Sequence, residues 1–216
     1  MKPSPSSRRP GPDRNAALEQ YRRRADVYDL ELALFEPLRR LAVSRLALTP
    51  GDVVLDVGCG TGLSLGALRQ GVGSRGRIVG VEQSPEMLAL ARARVAEHHW
   101  AQVTLLCSPV ETADIPVVAD AALFHFTHDI LRNRQAIANV LRHLKPGARV
   151  VASGLKWATA WPLWPVNLLV LPAALRSVTS LDGLDQPWGL LQEQLGTMQV
   201  ESAWLGATYV ASGVRA

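Results

Sequence analysis

The stretch VVLDVGCGTGLSLGALR, residues 53–69, places Asp56 two residues ahead of Gly58 and follows it with Gly60 and Gly62. Glycines at such spacing let the main chain take positive φ and let a ligand approach closely, while a helix that follows offers unpaired amides. The loop therefore reads as a cradle for a small ligand. It is not a dinucleotide fingerprint, because the third glycine of GxGxxG would fall at Leu63, and it is not a P-loop, because Leu63 and Ser64 stand where a lysine and a hydroxyl are needed. Asp56 argues the same way: a carboxylate there suits a ligand carrying an ammonium group and repels a pyrophosphate. About 20 residues beyond the loop, IVGVEQSPEML sets Glu82 where a carboxylate can accept both hydroxyls of a ribose.

A second concentration of chemistry is HFTHDI, with His125, His128 and Asp129. Histidine titrates near pH ~6.5, so one placed at a site can act as general base toward a hydroxyl. His128 is the first candidate and Asp129 the second, while His125 lies inside an apolar run and reads as structural. A metal-dependent site would want several clustered acids, and only Asp129 stands out, so no metal is expected. Cys59 and Cys107 lack CxxC or Cys/His spacing, which points to reduced thiols, a cytoplasmic setting and no structural zinc.

The elements that position these residues follow from periodicity. A chain of 216 residues with 48% hydrophobic content is long enough for one well-cored domain plus a tail. Ala16 to Leu30 and Glu36 to Leu48 read as helices, the second with Pro37 in its first turn. Strand and helix patterns then alternate: Val53 to Val57, Leu63 to Arg69, Arg77 to Val81, Pro85 to Glu97, and Gln102 to Cys107. That alternation is the signature of a parallel sheet with helical crossovers. Ser84 is placed to cap the helix that starts at Pro85. Ala121 to Phe126 is a fourth strand, followed by a helix with a stripe of Ile137, Val140, Leu141 and Leu144. KPGARVVASG carries a turn into a fifth strand, and the last 19 residues read as two β runs about Gly206, a hairpin completing the sheet.

LDVGCGTG, with its acid ahead of the first glycine, resembles the first motif of class I S-adenosylmethionine-dependent methyltransferases. The resemblance implies a three-layer, Rossmann-like α/β sandwich with a mostly parallel seven-stranded sheet and a C-terminal antiparallel hairpin. It implies S-adenosyl-L-methionine as cofactor, held by Asp56, Gly58, Cys59, Gly60 and Gly62, with Glu82 on the ribose and Gln83 and Met87 bordering the adenine. Many members carry an acid after the third strand; LLCSPVETADIP has Ser108 there, a departure, with Val110 to cover the base and Glu111 or Asp114 as alternative acids. YRRRADVYD is similar to the entry helix that closes over the cofactor in many small-molecule members. Tyr21 and Tyr28 become lid candidates, since an aromatic face attracts a sulfonium by about 0.5–2 kcal/mol. His128 and Asp129 fall near the transferred methyl. The implied organisation is a disordered basic arm (1–15) and a single methyltransferase domain (16–216). That domain comprises lid helices (16–48), a cofactor-binding core (49–155), an apolar cap or insertion (156–196) and the hairpin (197–216).

The net charge of +4 gathers in the arm and in YRRRAD, which reads as a solvated helix face. The fourth strand ends without the Asn-Pro-Pro-Tyr type sequence of base-amine methylation, and nucleic acid is not expected as a partner. WATAWPLWPVNLLVLPAALR, residues 157–176, holds about 19 uncharged residues, enough by length to span a bilayer. Pro162, Pro165 and Pro172 would interrupt a spanning helix, and the flanking strands must join one sheet. An apolar cap over the acceptor or a homodimer contact is the expectation, with shallow membrane attachment as the remaining alternative. Lys156 and Trp157 are read as pocket-rim residues. The expected activity is methyl transfer to an oxygen or nitrogen of a small, fairly apolar acceptor. The alternatives are a membrane-associated lipid or quinone methyltransferase and a non-catalytic S-adenosylmethionine-binding protein.

Overall fold

The computed structural model describes residues 35–158, 167 and 182–216. The basic arm, the first expected helix with Tyr21 and Tyr28, and most of the apolar run after Trp157 lie outside the described residues. Chain order is α1 (Glu36–Arg45), β1 (Val53–Val57), α2 (Leu65–Val72), β2 (Arg77–Glu82), α3 (Pro85–Glu97), β3 (Val103–Cys107) and β4 (Ala119–His125). It continues with α4 (His128–Leu131), α5 (Arg134–Arg142), β5 (Leu144–Leu155), α6 (Gly189–Leu195), β6 (Met198–Ala203) and β7 (Thr208–Val214). The seven strands form one sheet in the order β3-β2-β1-β4-β5-β7-β6. All pairings from β3 across to β5 are parallel, and β7 runs antiparallel to both β5 and β6.

Strand alternation splits the core between the two faces of this sheet. Val54, Ile78, Leu123, Val151 and Val210 pack under α1 and α2 with Leu38, Ala42, Leu65 and Leu68. Leu55, Val57, Val81, Phe124 and Val150 pack against Ile137 and Val140 of α5 and Leu191 of α6. The result is the three-layer sandwich with a C-terminal hairpin that the pattern implied. Each fully buried aliphatic side chain contributes about 1.5–3 kcal/mol, so this burial outweighs any single polar contact.

Local signals set the ends of the helices. Ser84 accepts from the Met87 amide at 3.2 Å with Pro85 at the first helical position, and Met87, Leu88 and Ala91 are buried. Asn133 likewise caps α5, accepting from Gln135 and Ala136 at 3.0 and 3.2 Å. Such caps add about 1 kcal/mol each and fix where the helix begins. One element differs from its expected bounds in a way that matters. The helix after the glycine loop starts at Leu65 rather than Leu63, because Gly62 stays in the loop with φ of +82°. Between β1 and β4 the connections leave in opposite directions, and the crevice at the carboxyl ends of these strands is where a doubly wound sheet takes its ligands.

Candidate active site

The loop after β1 is tied down through its main chain. Gly58 and Cys59 both donate to the Val81 carbonyl, at 2.8 and 3.1 Å, and the Gly60 amide donates to Glu82 Oε2 at 3.1 Å. Glu82 Oε1 accepts from the Ser84 amide at 2.8 Å. Gly58, Gly60 and Gly62 all have positive φ, at +70°, +55° and +82°. Two of them also make room for protein. A Cβ on Gly58 would lie 2.6 Å from Thr127 Cγ2 and 2.8 Å from Ile130 Cδ1, and one on Gly62 would lie 3.2 Å from the Ala91 Cβ. Their bareness lets the β4 loop and α3 close in on the cradle. Cys59 is buried, and burial, with Asp56 and Glu82 adding to it, pushes its thiol well up from the usual range, so it is no nucleophile.

Asp56 is 2% exposed and its Oδ2 has no partner. Burial pushes its pKa up to about 7; the Arg39 guanidinium pulls the other way, and the Glu82 carboxylate adds to the rise. An orphaned carboxylate of this kind calls for a ligand cation or hydrogen-bond donor. Glu82 is also buried and raised by that burial, although the Ser84, Gly60 and Gln83 amides oppose it. Each of its oxygens keeps a lone pair for a ribose hydroxyl.

At the far end of β2, the Ser108 amide donates to the Glu82 carbonyl at 3.0 Å, which sets Ser108 beside Glu82. Its hydroxyl donates to the Pro109 carbonyl at 3.1 Å, so what remains free is acceptor capacity, the part an adenine amino group would use. Val110 and Met87 are buried at 4% and 1% exposure, and Gln83 is half-buried. Asn139 of α5 holds the 110–113 turn from below, donating to the Val110 and Ala113 carbonyls at 2.6 and 3.0 Å.

The other half of the crevice is a small cavity lined by Phe126, Thr127, His128, Ser153, Gly154, Leu155, Leu184 and Tyr209. Phe126 turns the chain out of β4 with φ of +57°, a conformation that costs a non-glycine residue about 1 kcal/mol or more and swings the next residues over the cavity. His128 is 7% exposed, and its Nε2 lies 3.0 Å from the Asp182 carbonyl. A carbonyl only accepts, so Nε2 carries the proton and Nδ1 is left as a lone pair, buried and without a partner. Burial lowers the His128 pKa, with the Asp182 carbonyl and the Asp129 carboxylate opposing it. Thr127 Oγ1 is likewise buried without a partner.

His125 is not among the residues that line this cavity. Its Nδ1 is 2.8 Å from Ser153 Oγ, and burial, assisted by Arg39, pulls its pKa down to about 3. The expectation that it is structural agrees with this placement. Arg39 was not singled out from the sequence, yet it lies 3% exposed, bonded to Glu36, and acts on both Asp56 and His125. The signal was an arginine on the same helical stripe as Leu38 and Ala42. Ser153, Leu184 and Tyr209 carried no sequence signal of a site. Lys156, expected at the rim, is buried at 7% exposure. Among the described residues no three His, Cys, Asp or Glu side chains are grouped to hold a metal, and no helix is long and apolar enough to cross a membrane.

A glycine loop fixed through its main chain, a buried carboxylate at the end of the next strand and a topological crevice are features that suit a nucleoside ligand on an α/β sheet. Residues 54–147 match the family model described as a methyltransferase domain. The chain is 28% identical over 172 residues to aklanonic acid methyltransferase DauC of Streptomyces sp. (strain C5), covering 76% of this chain and 74% of that one. It is 35% identical over 138 residues to the 2-phytyl-1,4-naphtoquinone methyltransferase of Synechococcus elongatus, covering 58% and 57%. The fold is shared with N-methyltransferase NodS from Bradyrhizobium japonicum WM9 in complex with S-adenosyl-L-homocysteine, at 17% identity and TM-score 0.68, over 92% and 98% of the two chains. The chain spans less than two thirds of the length of several curated relatives, 46% of one and 30% of another. Residues 54–147 thus carry a methyltransferase domain, and the proteins the chain resembles include S-adenosylmethionine-dependent methyltransferases, whose cofactor is S-adenosylmethionine. The residues present fit that group: the orphaned Asp56 oxygen suits its amino group, and the Glu82 lone pairs suit its ribose.

Proposed function

We propose that this chain transfers the methyl group of S-adenosylmethionine to an oxygen or nitrogen of a small, fairly apolar acceptor, with His128 as the base for a hydroxyl. The observation that carries this reading is the His128 tautomer: Nε2 is committed to the Asp182 carbonyl, and Nδ1 is an unpartnered lone pair on a residue that lines a mostly apolar cavity. The cofactor, when bound, supplies an activated methyl, so the protein has to align the acceptor, exclude water and remove a proton. His128 is neutral at neutral pH because burial lowers its pKa, and it takes the acceptor proton on Nδ1. The Asp182 carbonyl and the Asp129 carboxylate favour the cation that results. Phe126, Leu155 and Leu184 keep water from the reacting atoms.

On the cofactor side, Asp56 takes the amino group and Glu82 the ribose, within the cradle of Gly58, Cys59, Gly60 and Gly62. Gln83, Met87, Ser108 and Val110 are assigned to the adenine, and Tyr21 and Tyr28 to a lid. The apolar run after Trp157 is assigned as a cap over the acceptor. Asn167 supports this, since its amide pairs both ways with the Ala158 main chain, at 2.7 and 3.1 Å, three residues beyond β5. A cytoplasmic setting and the division into lid, core, cap and hairpin belong to the same reading. DauC, named for aklanonic acid, supports a small acceptor. The naphthoquinone relative favours a second reading, a membrane-associated quinone methyltransferase.

The test is incubation of the protein with methyl-labelled cofactor and fractionated host-cell extract, with mass spectrometry of labelled products. A labelled small molecule from the aqueous fraction supports the reading. Label only in membrane lipids or quinones favours the second, and tight S-adenosylhomocysteine binding with no labelled product leaves a binding protein.

A further inference from the structure

We propose that Lys156 is an anion-binding point beside the acceptor cavity, and that the acceptor is therefore an apolar acid whose charged oxygen docks on the Lys156 ammonium. This rests on the methyltransferase reading of the same site and narrows its acceptor. Cations inside proteins are paired, because an uncompensated charge loses its hydration. Arg39, the other cation buried in this half of the molecule, has Glu36. Lys156 is 7% exposed, yet its Nζ donates only to the Trp157 carbonyl at 3.3 Å, and no carboxylate among the described residues lies within ion-pair distance of it. Residues 159–181, which follow it, contain no Asp or Glu. Burial pulls its pKa down with no neighbouring acid to oppose the shift.

The position of Lys156 points to a ligand. It follows Leu155, which lines the cavity, and its amide donates to the Ala207 carbonyl at 2.9 Å. The next amide, that of Trp157, donates at 2.8 Å to Leu184, which lines the same cavity. Gly206 lies beside the ammonium: a Cβ there would stand 4.0 Å from Nζ, at ordinary contact distance. Next to Gly206, Trp204 and Leu205 hold positive φ, and they are 44% and 66% exposed. Trp204 stacks on Phe35 with centroids 5.0 Å apart. A lysine serving solubility would run its head out to water. An ammonium held inside an apolar rim instead complements a ligand with an apolar body and one negative charge.

The chain has three lysines, Lys2, Lys145 and Lys156, so protein grown with [ε-13C]lysine shows three side-chain signals, assigned with Lys2→Arg and Lys145→Arg. The S-adenosylhomocysteine complex of the full chain is titrated with benzoate, 2-naphthoate and decanoate, and with the three matching amides. The expected result is that the Lys156 signal moves with at least one acid and not with its amide, and that the acid binds at least tenfold more tightly. Lys156→Met should abolish that preference while amide and S-adenosylhomocysteine affinities stay unchanged. A Lys156 signal unmoved by all three acids, an equal response to the amides, or a preference that survives in Lys156→Met overturns the proposal. Should Lys156→Met not fold, the labelled titration decides alone. Calorimetry with S-adenosylhomocysteine separates the two levels. Failure of the wild-type protein to bind it sinks the methyltransferase reading, whereas intact binding with an unresponsive Lys156 sinks only the anion point.

Discussion

The half of the site at the ends of β1 and β2 and the half at the ends of β4, β5 and β7 are held by different parts of the chain. In the first, main-chain amides do most of the holding: Gly58 and Cys59 on Val81, and Gly60 and Ser84 on Glu82. These residues all lie between Asp56 and Ser84 or on the strands beside them. In the second, the walls are side chains from four separated segments, at Phe126–His128, Ser153–Leu155, Leu184 and Tyr209. A site whose loop is held by main-chain amides and glycines keeps its two carboxylates, Asp56 and Glu82, in fixed positions for one ligand. A site made of side chains changes its ligand with each substitution, so kinship can fix the cofactor without fixing the acceptor.

Substitutions that affect one half and spare the other test this division. The largest separation is expected from His128→Ala. Turnover with a hydroxyl acceptor should fall by about 10²–10⁴-fold while S-adenosylhomocysteine affinity by calorimetry holds. Equal losses in both would place His128 in the cofactor half and break the comparison. In the reverse direction, Glu82→Ala removes charge-assisted bonds to ribose and should weaken S-adenosylhomocysteine by about ten- to a hundredfold, with the cavity around His128 unchanged in its NMR shifts.

Gly58 is where the halves touch, because its missing Cβ leaves room for Thr127 and Ile130. Gly58→Ala adds both a clash and a strained positive φ, and should cost about 1–3 kcal/mol in urea unfolding while lowering cofactor affinity and turnover together. A variant that loses only one of these would show the seam to be looser than the distances imply.

The smallest effect is a pH dependence. Free Asp56 has a pKa near about 7 against an ordinary value of 3.8, so between those values the folded apo-protein binds more protons than the unfolded chain, and its stability falls as pH rises through that window. A ligand ammonium needs the ionised form. S-adenosylhomocysteine affinity should therefore rise with pH up to about 7, by at most about tenfold per unit, and then level off. In Asp56→Asn that slope should vanish; a slope that persists there belongs to another group.

Much of the cofactor half was legible because its determinants are local. Positive-φ glycines, an acid two positions ahead and a strand-end glutamate are all set by order along the chain, and the cap at Ser84 followed from Pro85 beside it. Helix and strand periods gave the two faces of the sheet for the same reason, since burial repeats with the period of the element. The start of α2 was missed by two residues because Gly62 stays in the loop with φ of +82°, a backbone state that periodicity does not record.

The sequence by itself determined the fold class, the glycine loop with its flanking carboxylates, and two histidines near the end of one strand. Only the tertiary structure decided what those histidines are: the Asp182 carbonyl, 54 residues along the chain, leaves His128 with a free Nδ1, and Ser153 and Arg39 make His125 part of the support. It also decided that Arg39 has a carboxylate while Lys156 has none among the described residues. Which partner a buried polar group finds depends on where other segments of the chain pass. Local periodicity records that a residue is buried, while the charge it meets is set by contacts between residues far apart in sequence.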